Sequence, residues 1–338
     1  MFTQENCSQI DELLKNAESI IITTHQNPDG DALGSTLGLK LFLQKFYTAE
    51  ITVLVPDSFP TFLNWMPDTN GIVVFDQDLN ANTLKLASAT LIFCLDYNHP
   101  GRTNKMESAL VSSKAVKIML DHHQQPDGFV NFTWSDTGAS STCEILYHFA
   151  SQMSWIKALD INIATCIYTG IMTDTGSFRF PVTTSETFRI ISHLKETGLE
   201  HWKIHESLFN QNSYTKLKLW GYALGEAMVN IPEISTTYIP LTAASLTKYN
   251  YKEGDAEGLV NYALSVEGTI LGVLLSEKDG KIRISFRSVG AFSVNKLSRE
   301  NFEGGGHENA AGGVSYLSME DTITKLLQIL KDIPELKK

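Results

Sequence analysis

The chain has 338 residues, 43% hydrophobic and 19% charged, enough to bury the cores of two ordinary domains. Its net charge of −11 excludes broad electrostatic binding to long duplex nucleic acid, which needs a large basic footprint. A short anionic ligand needs only a local cluster of cations.

No run offers the roughly 18 uninterrupted apolar residues of a membrane helix, and the start, MFTQENCSQIDELLKN, lacks the basic and apolar regions of a signal peptide. The expected location is the cytoplasm, with no membrane partner. Cys7, Cys94, Cys143 and Cys166 have neither zinc-site nor disulfide-framework spacing and read as small buried hydrophobes.

The first two-thirds alternates β-rich runs with helical patterns, the sequence form of an α/β domain with a mostly parallel sheet covered by helices. SIIITTH (19–25) precedes a helical stretch at 32–46; ITVLVPD (51–57), ATLIFCLDY (89–97) and AVKIMLDHH (115–123) read as further buried strands. Three of these runs end in His25, Asp96 and Asp121-His122-His123, at the carboxyl edge where open α/β sheets bind ligands. Helical patterns follow at 139–153 and 161–172, the second ending at TDTGSF, and then in TSETFRIISHLKETG, HWKIHESLFNQ and residues 214–230. The expected division is a first domain over 1–212, a helical linker over 213–230 and a smaller C-terminal α/β domain over 231–338. The last contains strands at 235–242, 269–277 and 281–288 and helices at 257–265 and 319–332.

HQNPDGDALGS (25–35) places one imidazole and two carboxylates within seven residues, on turn formers that can point His25, Asp29 and Asp31 at a common centre. The same segment also reads as a surface turn with Asp31 as the helix N-cap. Asp121, His122 and His123 abut a strand expected to be buried on both faces, where ionisable groups are costly unless paired or bound to metal. Two adjacent histidines project in different directions and cannot both be satisfied core residues. Asp96 and Asp174 each read singly as turn residues. Together the groups supply enough O and N donors for two divalent cations. Carboxylates and imidazoles without thiolate favour Mn2+ over a structural zinc, with Mg2+, Co2+ and Fe2+ also admitted.

In the last third KIRISFRS places Ile282, Ile284 and Phe286 on one face and Arg283, Ser285 and Arg287 on the other. Two guanidiniums on one face can grip a phosphate. In GGGHENAAGG (304–313) the glycines, Gly305 and Gly306 among them, let backbone N–H groups approach an anion, and His307 adds a switchable donor. The Ala-rich stretch that follows is expected to start a helix, whose N-terminus would attract phosphate.

HQNPDGDALGS, the strand-ending Asp96, DHH and TDTGSF resemble the four motifs of DHH phosphoesterases, and GGGHENAAGG with SFRS resembles the DHH-associated C-terminal domain. The likeness spans nearly the whole chain and is similar in length and order to the oligoribonuclease and pAp-phosphatase branch. It implies that His25 and Asp29 hold one metal, that Asp31, His122 and Asp174 hold the other, and that Asp96 bridges them. It further implies that His123 faces the phosphate and that Asp121 is a supporting residue, an acceptor that orients metal-bound imidazole. Arg287, His307 and Arg283, with Gly305 and Gly306, would hold a terminal phosphate or nucleotide; Arg102 matches a further family arginine.

The implied activity is hydrolysis of short oligoribonucleotides to mononucleotides, removal of the 3′-phosphate of pAp, or both. Linear or cyclic signalling dinucleotides and polyphosphate are alternative substrates, and an inactive nucleotide-binding regulator is a further alternative. The expected partners are short oligonucleotides or small nucleotide phosphates, with a homodimer left open.

Overall fold

The computed structural model describes residues 1–210 and 212–337. The chain divides into two compact units, Met1–Gln211 and Asn212–Lys338. The first contains α1 (Gln4–Asn16), β1 (Ser19–Thr23), α2 (Gly30–Phe46), β2 (Glu50–Val55), β3 (Val73–Val74), α3 (Leu79–Ser88), β4 (Leu91–Leu95), α4 (Glu107–Ser112), β5 (Val116–Asp121), β6 (Phe132–Ser135), α5 (Thr142–Gln152), α6 (Ile161–Asp174), α7 (Ser185–Glu196) and α8 (His201–Phe209). The helical reading of HWKIHESLFNQ ends on Gln211, which lies outside the described residues.

Six parallel strands pair in the order β3-β2-β1-β4-β5-β6. The order reverses between β1 and β4, the topological switch point at which doubly wound sheets open a crevice at their carboxyl edge. The central strands β1 and β4 are almost wholly apolar because helices cover both faces. Ile20, Ile22, Val53, Phe93, Leu95, Ile118 and Leu120 enter one core with α2, α5 and α6; Ile21, Leu54, Ile92, Cys94 and Met119 enter the opposite one. That split is the two-residue alternation of a strand.

α2 is enclosed rather than amphipathic, and two of its glycines explain how. A Cβ on Gly34 would lie 2.5 Å from the Cys166 carbonyl oxygen, and one on Gly38 would lie 3.2 Å from Leu146. Bare backbone on α2 therefore sets the close approach of α6 and α5. Cys94, Cys143 and Cys166 are buried, whereas Cys7 is half-buried.

The second unit contains α9 (Tyr214–Tyr222), β7 (Val229–Ile231), β8 (Thr236–Leu241), α10 (Ala243–Lys248), α11 (Leu259–Leu264), β9 (Leu271–Lys278), β10 (Lys281–Ser288), α12 (Val294–Asn301), β11 (Gly305–His307), β12 (Ala310–Ser315) and α13 (Met319–Lys331). Its sheet runs β11-β12-β10-β9-β8-β7, antiparallel except for the parallel pair β8–β9. Ile282, Ile284 and Phe286 face a core closed by α12 and α13, so the alternation of KIRISFRS holds. Each such side chain contributes about 1.5–3 kcal/mol on burial. Leu219 and Ala223 of the 214–230 segment pack into the other core of this unit. Among the described residues no helix is long and apolar enough to cross a membrane.

One expectation fails here. The stretch after His307 is not a helix start: Gly305–His307 and Ala310–Ser315 form an antiparallel hairpin, with His307 opposite Ala310. Alanine's helix preference is small, and the ladder to β10 overrides it. The glycines serve close packing instead. A Cβ on Gly313 would crowd Phe302 and Ser298 at 3.0 Å, and Gly306 sits at φ 153°.

Candidate metal centre

The donors of the first unit come from separate elements that end at one edge. His25 follows β1, Asp96 follows β4, Asp121-His122-His123 close β5, and Asp174 closes α6. Asp29, not Asp31, is the N-cap of α2, with Oδ1 accepting from the Asp31 and Ala32 amides at 3.0 Å each. This arrangement moves Asp31 into the first helical turn, fully buried, where its carboxylate faces α5.

Asp96 is the hub. Its Oδ2 lies 3.2 Å from His25 Nε2, and its Oδ1 lies 3.5 Å from His122 Nε2 and 3.7 Å from His123 Nδ1. His122 Nε2 also lies 3.1 Å from Asp174 Oδ2 and 4.0 Å from Asp31 Oδ2. Asp96 adopts φ 65°, a left-handed conformation that costs a non-glycine residue free energy and recurs at functional sites.

Neighbouring groups fix the imidazoles. His25 Nδ1 donates to the Gln26 carbonyl at 2.7 Å, which turns Nε2 toward Asp96; the Gln26 amide in turn donates to the Arg102 carbonyl at 2.8 Å. Asp121 holds His123 rather than His122, accepting from its Nδ1 at 2.7 Å and its amide at 3.0 Å. Arg102 thus joins this cluster, and its guanidinium charge is felt by His25 and His123.

Burial pushes the Asp31 carboxyl well up, and the charges of Asp96 and Asp174 push it further. Burial likewise raises Asp174 and Asp121, each to about 6. At Asp96 burial acts in the same upward direction, but hydrogen bonds from His122 and His25 outweigh it and hold that carboxylate well down. At His122 burial opposes the charge, and the contacts to Asp174 and Asp96 prevail, raising it well above the usual range. At His123 burial, reinforced by Arg102, lowers it. Several carboxylates crowded together out of water are costly without a compensating cation.

The donor atoms fit divalent cations. His25, Asp29 and Asp96 bring one donor each within 4.8 Å of one another, as do Asp31, Asp96 and His122, and Asp96, Asp121 and His123. Every donor is an imidazole nitrogen or a carboxylate oxygen, a set suited to hard or borderline cations.

The other predicted residues lie in the second unit. Arg283 and Arg287 share the non-core face of β10, half-buried, with Arg287 Nη1 donating to the Phe286 carbonyl at 3.1 Å. Gly305, Gly306 and His307 form β11, and Asn295 Oδ1 accepts from the Gly306 amide at 3.2 Å.

Sequence reasoning missed Thr142. Its amide and that of Cys143 donate to Asp31 Oδ2 and Oδ1 at 2.7 and 2.9 Å, and its hydroxyl donates to Asp96 Oδ1 at 3.0 Å. The S-x-x-E spacing of Ser141 and Glu144 marks a helix start at this point, but no local signal names the distant carboxylates that the turn would meet.

Residues 19–171 match the DHH family N-terminal domain and residues 238–334 match the DHHA1 domain. The chain belongs to the DHH family of phosphoesterases. It is similar to the bifunctional oligoribonuclease and PAP phosphatase NrnA of Thermus thermophilus, with 28% identity over 97% of this chain and 94% of that protein. The Bacillus subtilis protein of the same name is 29% identical over 88% of this chain and 90% of its own length. Among solved structures, an exopolyphosphatase-related protein from Bacteroides fragilis superposes with a TM-score of 0.92 at 36% identity, covering 97% of this chain and 96% of that one.

Proposed function

We propose that this chain hydrolyses phosphate esters of short nucleotides, releasing mononucleotides from short oligoribonucleotides and the 3′-phosphate from pAp, with two divalent cations at the carboxyl edge of the first sheet. The observation that carries this reading is Asp96, one buried carboxylate shared by neighbouring sets of His and Asp donors. The substrate class rests on the likeness to proteins named as oligoribonucleases and PAP phosphatases.

In this reading His25 and Asp29 would hold one cation and Asp31, His122 and Asp174 the other, with Asp96 contributing to both donor sets. The absence of thiolate donors favours Mn2+, with Mg2+, Co2+ and Fe2+ also suited. When bound, the cations supply an activated nucleophile at neutral pH and neutralise charge on the phosphoryl oxygens.

The chain's own residues do the rest. With Nδ1 engaged by Asp121, the His123 ring is held in one orientation and one tautomer, which suits it to align the scissile phosphate. Arg102 adds a fixed positive charge beside it. In the second unit Arg287, Arg283 and His307, with the Gly305–Gly306 backbone, hold the substrate's other phosphate or nucleotide. We assign hydrolysis to residues 1–212, substrate holding to 231–338 and their connection to 213–230, in a cytoplasmic enzyme.

The test is a substrate panel with the purified full chain in Mn2+, Mg2+ and Co2+. It compares pAp, short RNA, linear and cyclic di-AMP, and polyphosphate. Release of mononucleotides from short RNA or of phosphate from pAp, abolished by Asp96→Ala and by His122→Ala, is expected. Full activity in either variant refutes the two-cation reading, and turnover confined to polyphosphate or cyclic dinucleotides refutes the substrate class.

A further inference from the structure

The first turn of α5 meets two carboxylates of the centre at once. Two of its amides take the two oxygens of Asp31, and the Thr142 hydroxyl takes Asp96 Oδ1. Thr142, Cys143 and Asp31 are fully buried, and Asp96 is 2% exposed. We propose that Thr142 is a positioning residue for the cations: its hydroxyl fixes the rotation of the Asp96 carboxylate, while its amide, with that of Cys143, fixes Asp31. This proposal rests on reading Asp31 and Asp96 as cation ligands.

The geometry of a carboxylate carries the argument. Two oxygens offer about four lone-pair sites. The α5 amides use one site on each Asp31 oxygen and leave the remaining site of each for other partners. Asp96 has a harder task, since it serves neighbouring donor sets, and the last torsion of an aspartate is a broad two-fold rotor. A hydroxyl donating to Oδ1 at 3.0 Å fixes that rotor at one end and leaves Oδ2 available to a cation.

The residue type and position suit the role. A short hydroxyl side chain at this position reaches Asp96 Oδ1 directly. As the first residue of α5, Thr142 has an amide with no acceptor inside the helix, so donating to Asp31 sacrifices no helical bond.

The turn is itself anchored. Ser141 Oγ accepts from the Glu144 amide at 3.1 Å, and Glu144 Oε2 accepts from Ser140 Oγ at 2.5 Å and from Thr187 Oγ1 at 2.9 Å. Thr187 belongs to the capped start of α7, so two helices brace the point that orients the carboxylates.

The experiment titrates the chelator-stripped full chain with Mn2+ alone by calorimetry and follows melting with and without Mn2+. It compares the parent with Thr142→Val, Thr142→Ser and Asp96→Ala. Thr142→Val is expected to bind Mn2+ about tenfold more weakly, the loss typical when a group orienting a metal ligand is removed, with Thr142→Ser close to the parent. The metal-free melting temperature of Thr142→Val should fall by a few degrees, because a buried hydrogen bond to Asp96 is lost, and the Mn2+-induced rise should shrink in addition. Parent-like affinity in Thr142→Val overturns the proposal. So does an equal loss in Thr142→Ser, or a lower metal-free melting temperature with an unchanged Mn2+-induced rise. If Thr142→Val does not fold, Thr142→Ala carries the same expectation and the same refuting result. Parent-like Mn2+ binding by Asp96→Ala would sink the cation reading itself. Loss in Asp96→Ala with none in Thr142→Val sinks only the role of Thr142.

Discussion

Substituting Gly170 with alanine should strike stability and cation binding together, because α6 passes Asp31 at backbone distance. A Cβ there would overlap the Cys143 sulfur and lie 2.5 Å from Asp31 Oδ1 and 3.0 Å from Asp31 Cα. Ordinary carbon contacts need about 3.5–4.0 Å, so the carboxylate has to retreat by roughly 1 Å. Overpacking of this kind costs about 1–3 kcal/mol. Retreat also strains the Asp31 contact with the Cys143 amide at 2.9 Å, and a buried charge-assisted hydrogen bond contributes about 1.5–3 kcal/mol. Alanine's better helix propensity returns about 1 kcal/mol. The net loss is therefore about 1.5–5 kcal/mol, or about 3–20 °C for a unit of some 200 residues. Calorimetry with and without Mn2+ measures both effects, with Gly221→Ala as control: Gly221 is exposed on α9 with nothing within 4 Å of its Cβ position. That control should gain about 0.4–1 kcal/mol. A Gly170→Ala protein that melts like the parent and binds Mn2+ equally well would refute the reasoning.

Arg287→Ala should raise KM for nucleotide substrates at least tenfold while leaving Mn2+ affinity within about twofold, as expected when a charged phosphate contact is lost; a comparable loss of Mn2+ would show that the arginine is misassigned. Gly306→Ala should behave the same way, because a Cβ at φ 153° would overlap the Ala310 carbonyl oxygen and distort the hairpin; steady-state kinetics with parallel calorimetry would show this, and unchanged KM refutes it. Asp121 and Asp174 hold their protons up to about 6 in the folded, metal-free chain, against 3.8 otherwise. Carboxyls raised in this way lend stability fully below 3.8 and lose it as pH rises through about 6, so the metal-free melting temperature should fall across that window. Mn2+ competes with the Asp174 proton, so its affinity should climb there with proton release; melting curves between pH 4 and 7.5 that run flat without metal contradict this.

The buried strands of the first sheet were legible because β1, β2, β4 and β5 are continuous apolar runs, and their polar ends pointed to the centre. The edges were not. β3 is two residues long and β6, FTWS, is half polar, so neither offers a period to read. Asp31 was read as a possible cap because the motif offers two aspartates two positions apart, and only the backbone shows that Asp29 closes the helix. AAGG misled as a helix start because β10, one of the two strands that flank it, lies more than twenty residues upstream. Thr142 was invisible for the same reason, since its partners, Asp31 and Asp96, are 111 and 46 positions away.

Those separations bear on how the centre comes into being. The residues around Asp96 span the chain from His25 to Asp174 and reach one edge only through parallel pairings that close long loops. Such contacts form slowly, because chain entropy is lost before they return any stabilisation. During synthesis the cluster stays incomplete until Asp174 has emerged, so no early fragment of this chain can capture a cation with the full donor set. Cation capture is therefore a timestamp on the folding of the first unit, closing only once its last donor is in place.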